Sequence, residues 1–253
     1  RVGILLGSQL EPTGRGQPFH TALARFTSAG ELDPTFGNGG TVSVTAVGGC
    51  TALALLNTGE VLVVNAHQIA QFTPTGALEP TVTGGTIDVS AGSNNPSTAS
   101  EFQPNGDYLL AIGINIGAAR SHNVAAQTLR FTPTGGADST FANPTFRFTG
   151  TGGSGVEDVP NGIAVQANGD IVVAGVHSTQ TQSGSTSVNG LARITPNGSF
   201  DSTFGNSGIV TDSIPAGTQG FEGVVIQPTD GNIVTIGTAN NTVNLVISRY
   251  LAQ

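Results

Sequence analysis

Short apolar runs rich in β-branched residues recur along the chain, and each follows a polar turn signal. Four stretches share this pattern: Leu55-Leu-Asn-Thr-Gly-Glu-Val-Leu-Val-Val64, Phe102-Gln-Pro-Asn-Gly-Asp-Tyr-Leu-Leu-Ala-Ile-Gly113, Val165-Gln-Ala-Asn-Gly-Asp-Ile-Val-Val-Ala-Gly175 and Ile226-Gln-Pro-Thr-Asp-Gly-Asn-Ile-Val-Thr-Ile-Gly237. Each predicts a hairpin: an Asn-Gly or Asp-Gly pair supplies the positive φ of a tight turn, and the run after it is a fully buried strand. Arg1-Val-Gly-Ile-Leu-Leu-Gly7 matches the second half of the same unit. A 3.6-residue apolar period is nowhere sustained over ten residues, which argues against an alternating βαβ fold.

A second motif interleaves with the first. It reads Ala22-Leu-Ala-Arg-Phe-Thr-Ser-Ala-Gly-Glu-Leu-Asp-Pro-Thr-Phe-Gly37, then Ile69-Ala-Gln-Phe-Thr-Pro-Thr-Gly-Ala-Leu-Glu79, Thr128-Leu-Arg-Phe-Thr-Pro-Thr-Gly-Gly-Ala-Asp-Ser-Thr-Phe141, Leu191-Ala-Arg-Ile-Thr-Pro-Asn-Gly-Ser-Phe-Asp-Ser-Thr-Phe-Gly205 and, in part, Val246-Ile-Ser-Arg-Tyr250. Its anchors Phe26, Phe72, Phe131, Ile194 and Tyr250 are 46, 59, 63 and 56 residues apart, periods that fit propeller blades. A full period holds four strands: one before the turn, one after it, the Ala-Arg-Phe strand, and an outer strand such as Gly40–Thr45, Gly85–Ser90, Thr145–Thr149 or Gly208–Ser213. The pattern predicts an all-β fold, a single-domain five-bladed β-propeller of four-stranded antiparallel blades, with blade cores near residues 1–46, 50–91, 98–150, 161–214 and 221–253.

The closing blade is expected to be incomplete. From Tyr250 round to Phe26 the sequence holds only 28 residues, so the outermost strand of the fifth blade and the innermost strand of the first are missing. An unpaired edge invites association. It points to a longer parent chain, to imperfect closure of the ring, or to a strand donated by another chain through β-augmentation. Arg1 stands where a turn should precede its strand, and no Met opens the chain, which reads as a processed or truncated end.

By these motifs the chain resembles the bacterial β-propeller repeat known as the delta-60 repeat. The shared elements are Ala-Leu-Ala-Arg-aromatic, Gly-x-Leu-Asp-x-x-Phe-Gly and Pro-Asp/Asn-Gly-x-Ile-Val-Val-Ala-Gly, and they cover essentially the whole chain. The second unit departs most, with Gln71 for Arg and Glu79 for Asp. The resemblance implies a propeller fold in a secreted or cell-surface protein, and no particular reaction.

Composition narrows the classes further. With 253 residues, 37% of them hydrophobic, the chain can bury a full core. Its 8 basic residues are all arginines, spread through the chain, and the net charge is −8. Neutralising phosphates needs clustered Lys and Arg, so nucleic acid and a polybasic membrane contact are excluded as partners. Apolar stretches such as Val61–Val64 and Ile171–Val176 fall far short of the ~20 residues that span a bilayer. Cys50 is the sole cysteine. It rules out an intramolecular disulfide and any multi-cysteine metal site, and reads as a small buried apolar residue. Abundant Gly, Thr, Ser and Asn fit an extracellular, cell-surface or periplasmic all-β protein.

Arg25 and Asp33, Arg130 and Asp138, and Arg193 and Asp201 each stand eight residues apart. A carboxylate on the turn can accept a fork of bonds from an Arg in the strand before it, locking each blade. An acid/base pair would occur once per site, not once per blade. Phe36, Phe141 and Phe204 follow these turns and are expected to fill the space between neighbouring blades. His67 and His177 align just past a strand end, and His20 and His122 fall in the loop that follows. All four thus point to one rim that could hold a small ligand or glycan. Glu101, Glu157, Asp158 and Glu222 precede or enter innermost strands and could face a central channel, where a glycosidase would place carboxylates. Nucleophile-elbow and phosphate-loop motifs are missing, and without Trp a sugar-stacking platform has little to build on. The sequence therefore predicts a non-catalytic scaffold without metal or cofactor. Its loops and edges would contact other protein subunits or copies of itself, the rival being a ligand module on the His20, His67, His122 and His177 rim.

Overall fold

A computed structural model describes residues 4–10, 20–44, 50, 52–56, 58–64, 68–79, 86–88, 98–103, 105–117, 122–133, 136–150, 152–182, 184–212, 218–239 and 244–252. Among them the regular elements are all β-strands, and sequence neighbours pair antiparallel in five runs. The first is β1 (Ile4–Leu10), β2 (His20–Phe26) and β3 (Thr41–Val44). The second is β4 (Ala52–Leu55), β5 (Val61–Val64), β6 (Gln68–Phe72) and β7 (Thr86–Asp88). The third is β8 (Thr98–Phe102), β9 (Tyr108–Asn115), β10 (Asn123–Phe131) and β11 (Thr145–Phe146). The fourth is β12 (Val156–Val165), β13 (Ile171–Thr181), β14 (Gly184–Ile194) and β15 (Ile209–Asp212). The fifth is β16 (Thr218–Ile226), β17 (Ile233–Ala239) and β18 (Asn244–Tyr250). A two-residue parallel contact, Asn123 with Val156 and Val124 with Glu157, joins the third run to the fourth.

The chain divides into two compact units, residues 1–90 with 132–136, and residues 91–131 with 137–253. The outer strands read from the sequence are β3, β7, β11 and β15. Among the described residues the first run has no strand inside β1, and the last has none outside β18.

The hairpin turns differ from the expected two-residue form. At the turn between β12 and β13, Gly169 has φ 88° while Asn168 stays at negative φ. The Asn168 side chain instead accepts from the Asp170 amide at 3.1 Å and donates to the Asp170 carboxylate at 2.7 Å. Gln166 N donates to Asp170 O and Gly169 N to Gln166 O, both at 2.8 Å. The turn thus places glycine alone in the left-handed region, with the Asn acting as a side-chain cap. Asn105 and Asp107 repeat the arrangement.

Each unit has its own core, and the repeated phenylalanines lie in it. In the first, Phe36 is buried with Leu23, Val61, Val63, Ala70 and Phe72. Cys50 is half-buried beside that cluster, and burial pushes its thiol pKa up. In the second, Phe141 packs with Ile163, Ile171 and Ile194, and Phe204 packs with Phe221 and Ile233 of the following run. Each Phe therefore bridges successive runs. Neighbouring first strands approach closely as well: a Cβ on Gly162 would lie 2.8 Å from the Val224 amide nitrogen.

Phe148 depends on a similar absence of a side chain. It is buried against Gly190, where a Cβ would sit 2.2 Å from Phe148 Cγ. Gly190→Ala is expected to destabilise the protein by about 1–3 kcal/mol through overpacking, read as a lower urea midpoint with an unchanged m-value. Gly39→Ala is a poor control because φ there is +61°, so Ser187→Ala on the same strand as Gly190 serves instead.

Candidate functional site

The repeated charged residues build one arrangement three times. Arg25 Nε donates to Asp33 Oδ2 at 2.9 Å, Arg130 Nε to Asp138 Oδ2 at 2.7 Å, and Arg193 Nε to Asp201 Oδ2 at 2.7 Å. A threonine two residues beyond each Asp completes the fork. Arg25 Nη2 donates to Thr35 Oγ1, Arg130 Nη2 to Thr140 Oγ1 and Arg193 Nη2 to Thr203 Oγ1, at 2.9, 3.3 and 3.3 Å. Each guanidinium lies over the following Phe, 4.6 Å from Phe36, 4.7 Å from Phe141 and 4.5 Å from Phe204.

The third donor leaves the repeat. Arg25 Nη1 donates to the Pro74 carbonyl at 2.5 Å, and Arg130 Nη1 to the Pro196 carbonyl at 2.6 Å, each in the Thr-Pro turn of another repeat in the same unit. Backbone bonds run alongside, from Gly37 N to Thr75 O and from Ala142 N to Asn197 O. The pairs therefore latch one repeat to another as well as closing their own turn. Sequence reading missed the threonines and the proline carbonyls, although Asp-x-Thr and Thr-Pro recur visibly in the motif. In the second repeat Gln71 is buried, and Glu79 N donates to Gln71 O at 2.7 Å, so the backbone turn survives without the charge.

Asp33, Asp138 and Asp201 have pKa values below the ordinary 3.8. The Thr hydroxyl and Thr amide that donate to each are the leading cause, and the Arg contributes in the same direction. A carboxylate whose folded pKa is depressed stabilises the fold fully above its unfolded value and loses that contribution as pH falls through the folded value. The melting temperature is expected to fall as pH drops below about 4. Asp201→Asn is expected to flatten that dependence in a pH series of thermal melts.

A different cluster is buried between β11 and β13. Asp158 is fully buried and accepts three bonds: from Arg147 Nη1 at 2.8 Å, from the Phe148 amide at 2.9 Å and from His177 Nδ1 at 2.9 Å. Arg147 also donates to the Val124 carbonyl at 3.0 Å and to Asn123 Oδ1. Neither Arg147 nor this cluster was foreseen, because its members occur once each and no repeat advertises them.

Thr149 Oγ1 lies 3.2 Å from His177 Nδ1 and 3.1 Å from Nε2, which with Asp158 brings hydroxyl, imidazole and carboxylate together. The alignment is not that of a nucleophile and its base. An oxygen in line with the Nε2 lone pair would be much nearer to one nitrogen than to the other, and this one is almost equidistant. A cavity of roughly 480 Å³ beside it is lined by Phe148, Thr149, Gly150, Val188, Asn206, Ile209 and Thr211. Among the described residues its lining presents hydroxyls and an amide but no titratable group.

The described histidines expected on one rim are each placed within their own strand or loop. His177 is 4% exposed and lies inside β13, because the ladder to β14 continues to Thr181 opposite Gly184, well past the apolar run that marked the strand in the sequence. His20 is half-buried and begins β2 opposite Leu10. His122 is exposed, with Nδ1 3.5 Å from Glu157 Oε1. His67 lies outside the described residues. Of the carboxylates expected near a channel, Asp158 is consumed by the buried cluster, Glu222 is exposed in β16, and Glu101 is half-buried in β8 with its pKa raised by burial.

Residues 166–204 match the family model described as "Domain of unknown function (DUF5122) beta-propeller". The stretch holds one Asn-Gly hairpin, one Ala-Arg strand and one Asp-Ser-Thr-Phe latch, so the likeness to a propeller repeat holds there at the level of the family. A comparison with curated proteins finds no match. Among solved structures the chain is similar to a glucose dehydrogenase, at 13% identity and a TM-score of 0.43 over 98% of this chain and 78% of that one. It is also similar to an endo-1,4-beta-xylanase from Bacteroides thetaiotaomicron, at 11% identity and a TM-score of 0.39 over 99% of this chain and 95% of that one.

Proposed function

We propose, for a chain whose residues 166–204 are a β-propeller repeat, that all five runs are blades of one five-bladed propeller. It acts as a non-catalytic scaffold at the cell surface, in the periplasm or outside the cell. Its loops and edges contact other protein subunits or copies of itself. The observation that supports this reading best is the use made of charge. The Arg and Asp residues shared by the repeats at 25 and 33, 130 and 138, and 193 and 201 are bonded to one another, and Arg25 and Arg130 are bonded to turns of other repeats as well. Groups so engaged are positioned to hold a shape, with their donors spent on protein acceptors instead of a substrate. A surface with few charged side chains also suits close packing against another protein.

The test combines light scattering with a thermal-shift screen of mono- and oligosaccharides and metal ions. A scaffold of this kind is expected to associate beyond the 25.4 kDa chain mass and to show no ligand-dependent rise in melting temperature. A monomer stabilised by one ligand class, with the stabilisation lost in His122→Ala, would contradict the proposal.

A further inference from the structure

The third and fourth runs depart from the repeat at one place, inside the second compact unit. β11 has two residues, against four in β3 and four in β15, so the chain leaves the β10 edge at Arg147 and crosses to the face of the fourth run. There Phe148 packs over Gly175 and Gly190, where Cβ atoms would lie 3.0 Å and 2.2 Å from its ring. β13 and β14 have 11 residues each, against 8 and 9 in β9 and β10. The slot left between residues 148–150 and the β14–β15 face is the cavity of about 480 Å³, within the roughly 300–1,000 Å³ of ligand pockets. The repeated motif builds the scaffold, and these additions to it gather where binding residues are usually carried.

Val188 and Ile209 give this slot an aliphatic patch, and Thr149, Asn206 and Thr211 add two hydroxyls and an amide. Asn206 and Thr211 are exposed at its mouth, while Thr149 is half-buried. The charges behind it are engaged: Arg147 donates to Asp158, the Val124 carbonyl and Asn123, and His177 is buried against Asp158. An ionised ligand would lose its hydration here without a counter-charge, so the slot selects an uncharged one. Phe148, the aromatic in its lining, is 1% exposed, which leaves no ring face for a sugar to stack on.

Thr211 also turns its backbone outward. Arg193 N donates to Gly208 O, and bonded and non-bonded pairs alternate along an antiparallel ladder. Val210 and Asp212 therefore bond to β14, whereas Thr211, opposite Gly190, directs its N–H and C=O away from it. Ile209 faces the same way, but Asn206 closes its backbone groups through Asn206 N to Ile209 O at 2.8 Å and Ile209 N to Asn206 O at 3.3 Å. Among the described residues nothing closes those of Thr211.

Resting on the scaffold reading, we propose that this slot receives an extended, uncharged segment of a partner protein. The main chain of that segment pairs with the Thr211 N–H and C=O, one aliphatic side chain enters between Val188 and Ile209, and flanking polar groups meet Thr149 and Asn206. In strand addition, main-chain bonds supply affinity and a pocket for an alternate side chain supplies specificity. Here the outward Thr211 backbone and the aliphatic patch lie side by side, because the Thr211 and Ile209 side chains both line the slot.

The probe is the blocked peptide acetyl-Ser-Thr-Leu-Thr-Ser-amide, titrated into the full chain and followed by backbone amide chemical shifts. Saturable shifts are expected at Gly150, Val188 and Thr211. The same peptide with Asp at its centre is expected to bind about tenfold more weakly or worse. Thr211→Pro removes the outward N–H without taking a bond from β14, a place where edge strands accept proline, and is expected to weaken binding by about tenfold or more. Thr211→Ala keeps that N–H and is expected to weaken it less. Val188→Trp fills the slot and is expected to abolish binding, with thermal melts showing that the variants fold. Equal binding of the Leu and Asp peptides, or binding unchanged in folded Val188→Trp, would overturn the site. No shift up to the solubility of the peptide, with wild-type chain still associated by light scattering, would overturn this inference and leave the scaffold reading in place. Cellobiose shifting these amides where the peptide does not would overturn both.

Discussion

Asp158→Ala is expected to cost about 3–5 kcal/mol, the range for removing one partner from a buried ion pair, and to leave little folded protein at 37 °C. The Asp158 carboxylate has no solvent exposure, and it is the acceptor on which Arg147, His177 and the Phe148 amide converge. Its loss leaves a guanidinium with 11% side-chain exposure facing a void, and orphans a backbone donor. Phe148, whose ring fills the space over Gly190, would lose the bond that fixes its backbone. Asp158→Asn retains an oxygen for the Phe148 amide but not the charge that compensates Arg147, so an intermediate loss is expected. The double variant Asp158→Ala with Arg147→Leu is expected to be more stable than Asp158→Ala alone, because no uncompensated charge remains buried. Urea unfolding of the three variants checks the order.

Arg193→Ala is the second large effect. Arg193 is 1% exposed, donates to Asp201 and Thr203, and covers the face of Phe204. Truncation removes the Asp201 partner, the cation–π contact and the packing of the long side chain together, for an expected loss of about 3 kcal/mol or more. Arg193→Lys is not conservative here. A point charge cannot reproduce the planar fork that reaches Asp and Thr while lying flat on Phe204, so most of the loss is expected to remain. Denaturant midpoints for the two variants should lie closer to each other than to wild type.

The parts of the molecule built by repetition were legible in the sequence. The Asn-Gly turns mark the hairpins because a glycine must take the left-handed conformation there, even though the turn proved to carry one such residue instead of two. The Arg–Asp spacing of eight was legible because three copies share it, and a spacing that recurs from repeat to repeat reads as architecture. His177 was misplaced for the converse reason. Beyond Gly175 the strand continues as Val-His-Ser-Thr-Gln-Thr, a polar stretch whose pairing depends on β14 and not on its own composition. The Asp158 cluster draws Arg147 from just after β11, Asp158 from β12 and His177 from β13. It exists only after three segments have come together, so neither period nor motif could announce it. Thr35, Thr140 and Thr203 were a different kind of omission, since they were visible in the repeat but are ordinary residues in a turn-rich sequence.

One comparison within the chain separates architecture from chemistry. Arg25, Arg130, Arg193 and Arg249 occupy the same position in four repeats, with side-chain exposures of 7%, 11%, 1% and 54%. The most direct test is equilibrium urea unfolding of the four single Arg→Ala variants at neutral pH. If these residues hold the fold, the loss of stability follows burial. It is expected to be largest for Arg193, smaller for Arg25 and Arg130, and within about 1 kcal/mol of zero for Arg249, the range of exposed pairs. Four variants as stable as wild type would contradict a structural role for the repeated charges and return them to consideration as a binding surface.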